Sequence, residues 1–382
     1  MSLLAEPAVG ARSRASFREF VDTAVAPYAD RFDRDQKIPA EVLRQVAGRG
    51  YWGAVLPATD GGSGMDMVTL GVLHEEIGRG CSSLRSLLTV HTMAAWALRR
   101  WGTTEAREHW LPGLASGDTL GAFCLTEPAA GSDISLVATT AVRDGDDYVL
   151  DGVKQWITGG QVADVFLVFA KTERGLSAFV VDADNPGVRC TPVENALGTR
   201  ASMLAEVLFA ECRVPARALL GAEGAGRMVA TAALDLGRYS VAAGCVGILQ
   251  ACLDASVAHT AGREQGGVLL REHQLVRRMI SDMVTGVQAA RALVRRAGEL
   301  KDGRDPETLT ATWIAKYFAS TQAMRAATDA VQLHGASGCA DGHPVNRYFR
   351  DAKVMEIIEG SSQIQQLTIA EHAYETASGG HS

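Results

Sequence analysis

Glu359 stands in the string Ile358 to Gln365 (IEGSSQIQ), and its neighbours suit a carboxylate that abstracts a proton. Ile357 and Ile358 place an apolar wall beside it, and burial against such a wall raises a carboxyl pKa toward that of a weak carbon acid. Gly360 lets ligand and backbone approach closely, and Ser361 or Ser362 can cap the helix that follows. Taken alone, Glu359 is better explained as an acidic residue favouring that helix's N-terminus. Its surroundings reverse that balance.

Other strings carry chemistry of their own. Cys124 to Asp133 (CLTEPAAGSD) combines small residues, over which backbone N–H groups can approach a ligand, with the hydroxyls of Thr126 and Ser132. Lys154 to Gly160 (KQWITGG) sets an indole two residues before a hydroxyl, although a lone Trp156 is more often a core aromatic. Arg263 to Gln274 (REQGGVLLREHQ) carries a guanidinium suited to a pyrophosphate. Gln332 to Gly338 (QLHGASG) and Arg350 to Lys353 (RDAK) precede the glutamate.

Together these strings resemble the signature motifs of the acyl-CoA dehydrogenase family, over about Phe17 to Tyr374. The resemblance implies FAD as cofactor and Glu359 as the catalytic base. Leu125, Thr126, Gly131 and Ser132 then belong to the cofactor site, with Trp156 packed beside the isoalloxazine and Thr158 near its N5. Arg263, Gln265 and Gln274 match the segment that reaches a neighbouring subunit's FAD, and Gln332, Gly335 and Ala336 match its cradle. Ser361 and Gln363 correspond to positions closing over the adenosine side. Gly266 stands where the family usually has Phe, and Ala336 where it has Gly, so an aromatic contact to the cofactor is missing. In RDAK, the resemblance implies that Arg350-Asp351 is a structural ion pair, rather than a catalytic one, supporting the segment ahead of the base.

Substrate positions follow in the same way. Gly360 adjoins the base, while Asp235 and Arg238 (LDLGRYSVAAG) match a pair that lies near the thioester and its pantetheine, with Arg238 supporting the base loop. Without the resemblance, Asp235 and Arg238 are an intrahelical pair worth ~0.2–0.5 kcal/mol. Some family members carry their base just before this arginine; here that residue is Gly237, so no second carboxylate competes. Arg85, inside CSSLRSLLTVHTMAAW, sits in the expected floor of the acyl pocket. A buried guanidinium needs an anion or a polar partner, so it suggests a short, oxygenated or acidic acyl group; a bridge to Glu75 or Glu76 is an equally good account.

The Arg85 stretch, GCVGILQAC and AKVMEIIEGSS resemble a subfamily that makes hydroxymalonyl or methoxymalonyl extender units for polyketides. That likeness implies oxidation of a three-carbon group on an acyl carrier protein, such as 2-hydroxy-3-oxopropionyl to 2-hydroxymalonyl. The alternative is ordinary α,β-dehydrogenation of a short-chain acyl-CoA. Shared cofactor sites imply a homodimer or homotetramer, and the electron acceptor stays open.

Elements must bring these strings together. The expected fold class is α+β: an all-α unit over residues 1–120, a β-barrel-like unit over 121–220 and a four-helix bundle over 221–382. Short β-rich runs are expected at Ala138–Arg143, Tyr148–Leu150, Val165–Ala170, Ser177–Val181 and Val207–Phe209, with hairpin turns at Asp144–Asp147 and Asn185–Gly187. Long alanine-rich helices are expected at Gly226–His259, Glu272–Lys301 and Pro306–Leu333. At 382 residues and 47% hydrophobic content the chain can bury a large ligand. A net charge of −7 gives no general attraction to nucleic acid or anionic membrane. No apolar run of about 20 residues or N-terminal targeting signal is read, so a cytoplasmic protein is expected. Seven scattered cysteines without C-x-x-C spacing indicate neither disulfides nor a metal.

Overall fold

The computed structural model describes residues 12–379. Its first part is helical: α1 (Arg14–Phe20), α2 (Ala29–Asp35), α3 (Ala40–Gly48), α4 (Met67–Gly80), α5 (Ser82–Trp101) and α6 (Thr104–Ser116). Side-chain caps fix where these begin: Asp66 accepts from Thr69 N–H at 2.6 Å ahead of α4, and Thr103 accepts from Ala106 N–H ahead of α6. Phe17, Phe20, Tyr51, Trp52 and Leu84 form the centre of this unit's core.

A sheet follows, built from β1 (Gly121–Cys124), β2 (Thr140–Asp144), β3 (Asp147–Ile157), β4 (Val165–Thr172), β5 (Gly175–Asp182), β6 (Val188–Pro192), β7 (Ala205–Pro215) and β8 (Leu219–Leu220). The order is β6-β7-β3-β2-β4-β5-β8, with β1 paired parallel to β4. Central β4 is buried on both faces. Val165, Leu167 and Phe169 pack with Ala94 and Leu98 of α5, while Phe166, Val168 and Ala170 join a second core with Tyr148 and Phe209. That is why the run VFLVFA is continuously apolar.

The turn after β2 is a two-residue hairpin, since Asp144 pairs with Asp147 and Gly145 takes φ 63°. Asn185-Pro186-Gly187 is a turn closed by Gly187 N–H onto Asn185 Oδ1, but it is not the expected hairpin. It leads from β5 to β6, which lie far apart in the sheet order and do not pair.

Helices return as α7 (Gly226–Gly262). A small hairpin, β9 (Glu264–Gln265) and β10 (Val268–Leu269), precedes α8 (Gln274–Asp302), α9 (Thr308–His334), α10 (Pro344–Met355) and α11 (Ser362–Gly379). α7, α8 and α9 pack on one another, α11 lies on α9, and α4 of the first unit joins α7 and α8. Glycines allow that last contact. A Cβ at Gly78 would lie 2.7 Å from Gly244 Cα, and one at Gly247 would lie 2.1 Å from Glu75 O. By length and hydropathy α7 could cross a membrane, contrary to the sequence expectation. In the fold 67% of its apolar window is buried, because α7 is the helix around which the bundle packs.

Candidate functional site

The turn between α10 and α11 presents Glu359. Glu359 and Gly360 both take left-handed backbone, φ 55° and 91°, which a non-glycine residue holds only when its surroundings over-determine it. Three side chains supply that constraint. Arg238 Nε donates to Glu359 O at 3.1 Å, Gln365 Nε2 donates to the same oxygen at 3.3 Å, and Lys316 Nζ donates to Gly360 O at 2.6 Å. With the carbonyls held, the carboxyl turns inward onto α7. A Cβ at Gly237 would stand 2.6 Å from Glu359 Oε2 and 2.7 Å from Met93 Sδ, so the missing side chain at 237 is the space the carboxylate uses.

Electrostatics at this carboxyl are unusual. Oε2 is buried and has no hydrogen-bond partner among the described residues. Burial pushes its pKa up to about 7, against the opposing pull of Arg238, Arg85 and Lys316. A group poised there can accept a proton from a carbon acid near neutral pH.

Arg85 is 1% exposed, and it does not bridge to Glu75 or Glu76. Those carboxylates are engaged elsewhere: Glu75 by Arg14 and Arg291, Glu76 by Arg14, Arg18 and Arg79. Arg85 instead donates to Thr89 Oγ1 at 3.0 Å, Ser86 Oγ at 2.8 Å and Met355 Sδ at 3.2 Å, leaving Nε without a partner. Gly244 makes room for it, since a Cβ there would lie 2.7 Å from Arg85 Cδ. No ion pair reaches this guanidinium among the described residues.

Asp235 and Arg238 are likewise not the intrahelical pair considered from their spacing. Asp235 pairs with Lys301 of α8, which frees Arg238 for the base turn. The second Asp235 oxygen is buried and unpartnered, on the wall of a cavity of about 880 Å³ lined also by Trp96, Arg100, Met228, Leu236 and Lys301. That wall reaches Leu236, one residue before Gly237.

The first group of expected cofactor residues converges in the sheet. Gln155 N–H donates to Thr126 O at 2.8 Å, so KQWITGG lies beside CLTEPAAGSD. A register shift between Lys154 and Ile157 breaks β3's alternation and turns Trp156 outward at φ 61°, 53% exposed. Thr126 and Thr158 are half-buried beside it, Gly131 and Ser132 exposed, and Leu125 buried beneath. An exposed indole on strained backbone with hydroxyls alongside fits the face and edge of a planar ring. Beneath both strings, buried Lys154 pairs with Glu127 at 2.6 Å and donates to Phe169 O and Leu125 O. Glu127 also accepts from Ala138 N–H, Thr139 N–H and Thr139 Oγ1.

The second group gathers at one end of the bundle. Arg263, Gln265 and Gln274 follow α7, and Gln332, Gly335 and Ala336 end α9; all six are exposed. His259 of α7 stacks on His334 of α9 at 4.3 Å, which joins the two strings. Gly266 and Gly267, at φ 65° and 82°, form the two-residue turn between β9 and β10. Among the described residues no hydrogen bond or ring contact connects this group with the first. Ser361 Oγ accepts from Ile364 N–H at the start of α11, beside exposed Gln363.

Several site residues escaped the sequence reading. Glu127, Lys154 and Gln365 lay inside quoted strings without a role. Lys316 was missed altogether, although it shares a helical stripe with Thr312, Ala315, Ala319 and Ala323, all buried. A lysine on that stripe was the available signal.

Known proteins resemble the chain over most of its length. Profiles described as the N-terminal, middle and C-terminal domains of acyl-CoA dehydrogenase match residues 11–118, 122–212 and 224–374. Acryloyl-CoA reductase (NADH) of Anaerotignum propionicum is 39% identical over 92% of this chain and 91% of its own. The mitochondrial short-chain specific acyl-CoA dehydrogenase of Bos taurus is 36% identical over 94% of this chain and 88% of its own. Among solved structures, FkbI, for biosynthesis of a methoxymalonyl extender unit of a polyketide, superposes with a TM-score of 0.87. It is 38% identical and covers 95% of this chain and 99% of its own.

Proposed function

The chain belongs to the acyl-CoA dehydrogenase family and is an FAD-dependent oxidoreductase of that type, and from this we propose that it interconverts a short-chain acyl-CoA and its α,β-unsaturated thioester. The observation carrying this reading is the Glu359 carboxyl, turned inward over Gly237 with its pKa raised by burial.

When bound, FAD would supply the acceptor for a hydride from the β-carbon. The residues of the sheet fit its ring: Trp156 offers a face, and Thr126, Ser132 and Thr158 offer hydroxyls at an edge. Glu359 takes the α-proton, so the two C–H bonds lost become one C=C bond. Arg238, Lys316 and Gln365 fix the turn that aims it. The unpartnered Asp235 oxygen can accept an amide N–H from a pantetheine arm in the cavity beside it. The cofactor residues at the bundle end, exposed and without contact to the sheet group, suit a site shared with a second copy of the chain. The partners are then a CoA thioester, a second copy and an electron-transfer protein or other acceptor.

A second reading is favoured by one observation. Arg85 is a buried cation without an ion-pair partner among the described residues, its charge bears on the Glu359 carboxyl, and FkbI is a similar solved structure. An oxygenated three-carbon acyl group on an acyl carrier protein would give the guanidinium its partner. Glu359 would then activate water or an aldehyde hydrate.

Purified holoenzyme assayed with butyryl-CoA and with carrier-bound 2-hydroxy-3-oxopropionate separates the two. Flavin bleaching by butyryl-CoA, lost in Glu359→Gln, supports the first reading. Bleaching by the carrier-bound substrate alone, weakened in Arg85→Met, supports the second and overturns the first.

A further inference from the structure

Lys316 is an expensive residue to bury, and the site already described does not account for its charge. Its side chain is fully inaccessible on α9, and among the described residues no carboxylate lies within ion-pair distance. An ammonium in that setting costs several kcal/mol unless its surroundings return it. Its one hydrogen bond goes to a backbone carbonyl, Gly360 O, at 2.6 Å. A neutral glutamine could make the same bond.

What charge adds is set by what faces it. From α7 come Arg238, a second cation, and Cys245, whose thiol burial pushes up to about 12 and so leaves neutral. From the base turn come Glu356 and Glu359. Glu356 is already paired with Lys353 at 2.8 Å. From α5, Arg85 faces Glu359. The unpaired carboxylate in the set is Glu359.

We propose that Lys316 is a positioning residue for the base: its ammonium holds the Gly360 carbonyl and faces the Glu359 carboxylate with fixed positive charge. This rests on the reading of Glu359 as the base. Two functions therefore sit in one side chain. The hydrogen bond sets the direction of the turn, and the charge joins those of Arg238 and Arg85 in opposing the burial that raises the carboxyl's pKa. Burial lowers the Lys316 pKa to about 8, which leaves it mostly cationic at the pH near 7 where Glu359 is half ionised.

Three substitutions in the holoenzyme separate these functions. Lys316→Gln keeps a donor and removes the charge, Lys316→Arg keeps the charge, and Lys316→Met removes both. The readout is an infrared titration of the protonated-carboxyl band that Glu359→Gln abolishes, which needs no substrate. The expected midpoint is near 7 in the unsubstituted enzyme. It should rise by about one unit or more in Lys316→Gln and Lys316→Met, as for a carboxylate losing a nearby cation, and stay put in Lys316→Arg. The ionised fraction at a fixed pH below the midpoint then falls about tenfold. An unmoved midpoint in Lys316→Gln overturns the proposal, even with slower turnover. Should Glu359→Gln bleach its flavin with butyryl-CoA as fast as the parent, the base assignment itself fails, whatever the titration shows.

Discussion

At the scale of single residues the site is a contest for one small volume. The Glu359 carboxyl occupies the place a side chain at 237 would fill, and the atoms a methyl would meet there are the far ends of Glu359 and Met93. Gly237→Ala should therefore move the carboxyl rather than the helix. The expected outcome is kcat lower by about 10²-fold with FAD content and Tm unchanged, checked by steady-state kinetics and thermal melting. Because the folded pKa of Glu359 is raised, the unfolded chain holds fewer protons between the two values, and stability falls as pH rises from 4.5 toward 7. Glu359→Gln should then raise Tm at pH 8 while turnover falls by about 10³-fold. In the parent enzyme kcat/KM should climb with pH to a plateau above about 7, as the carboxyl ionises.

At the scale of elements, one buried ion pair ties two strings together. Lys154 on β3 and Glu127 in the loop after β1 are both inaccessible, and between them they hold Leu125 O, Phe169 O, Ala138 N–H and Thr139 N–H. Lys154→Met leaves Glu127 charged and unpaired, which should cost about 3–5 kcal/mol in denaturant unfolding and weaken FAD retention on gel filtration. The elements were unevenly legible in the sequence. The three long helices read within a few residues of their ends, because alanine-rich stripes repeat over many turns. β1 (GAFC) and β6 (VRCTP) were not read: one is four residues long, and the other is mostly exposed at the sheet edge, so neither has a periodic face. At the site, Glu359 was legible from its string, and Lys316 was not, because a lysine is read as surface unless its stripe is counted.

At the scale of the whole molecule, buried histidines contribute to the acid limit. His91 joins α5, α6 and β1, with Nε2 on Leu114 O and Nδ1 accepting Gly121 N–H, an arrangement that needs the neutral ring. Burial lowers its pKa to about 4, and that of His74, beside Arg85, to about 3. Both folded values lie below the ordinary 6.5, so their stability contribution is complete above that pH and is lost as pH falls through it toward 4. A fall of a few kcal/mol between pH 6.5 and 4 is expected, with the His91→Gln variant showing a shallower decline in denaturant titrations across that range. The surroundings of Glu359 add a different liability. Arg85, Arg238 and Lys316 all bear on its carboxylate, and Arg85 and Lys316 are buried. On the second reading, an oxygen-rich acyl end of a bound thioester would bring negative charge among these cations. The melting temperature then becomes a screen for substrate: a larger rise with an oxygen-rich acyl thioester than with butyryl-CoA is expected on that reading, and the reverse on the first.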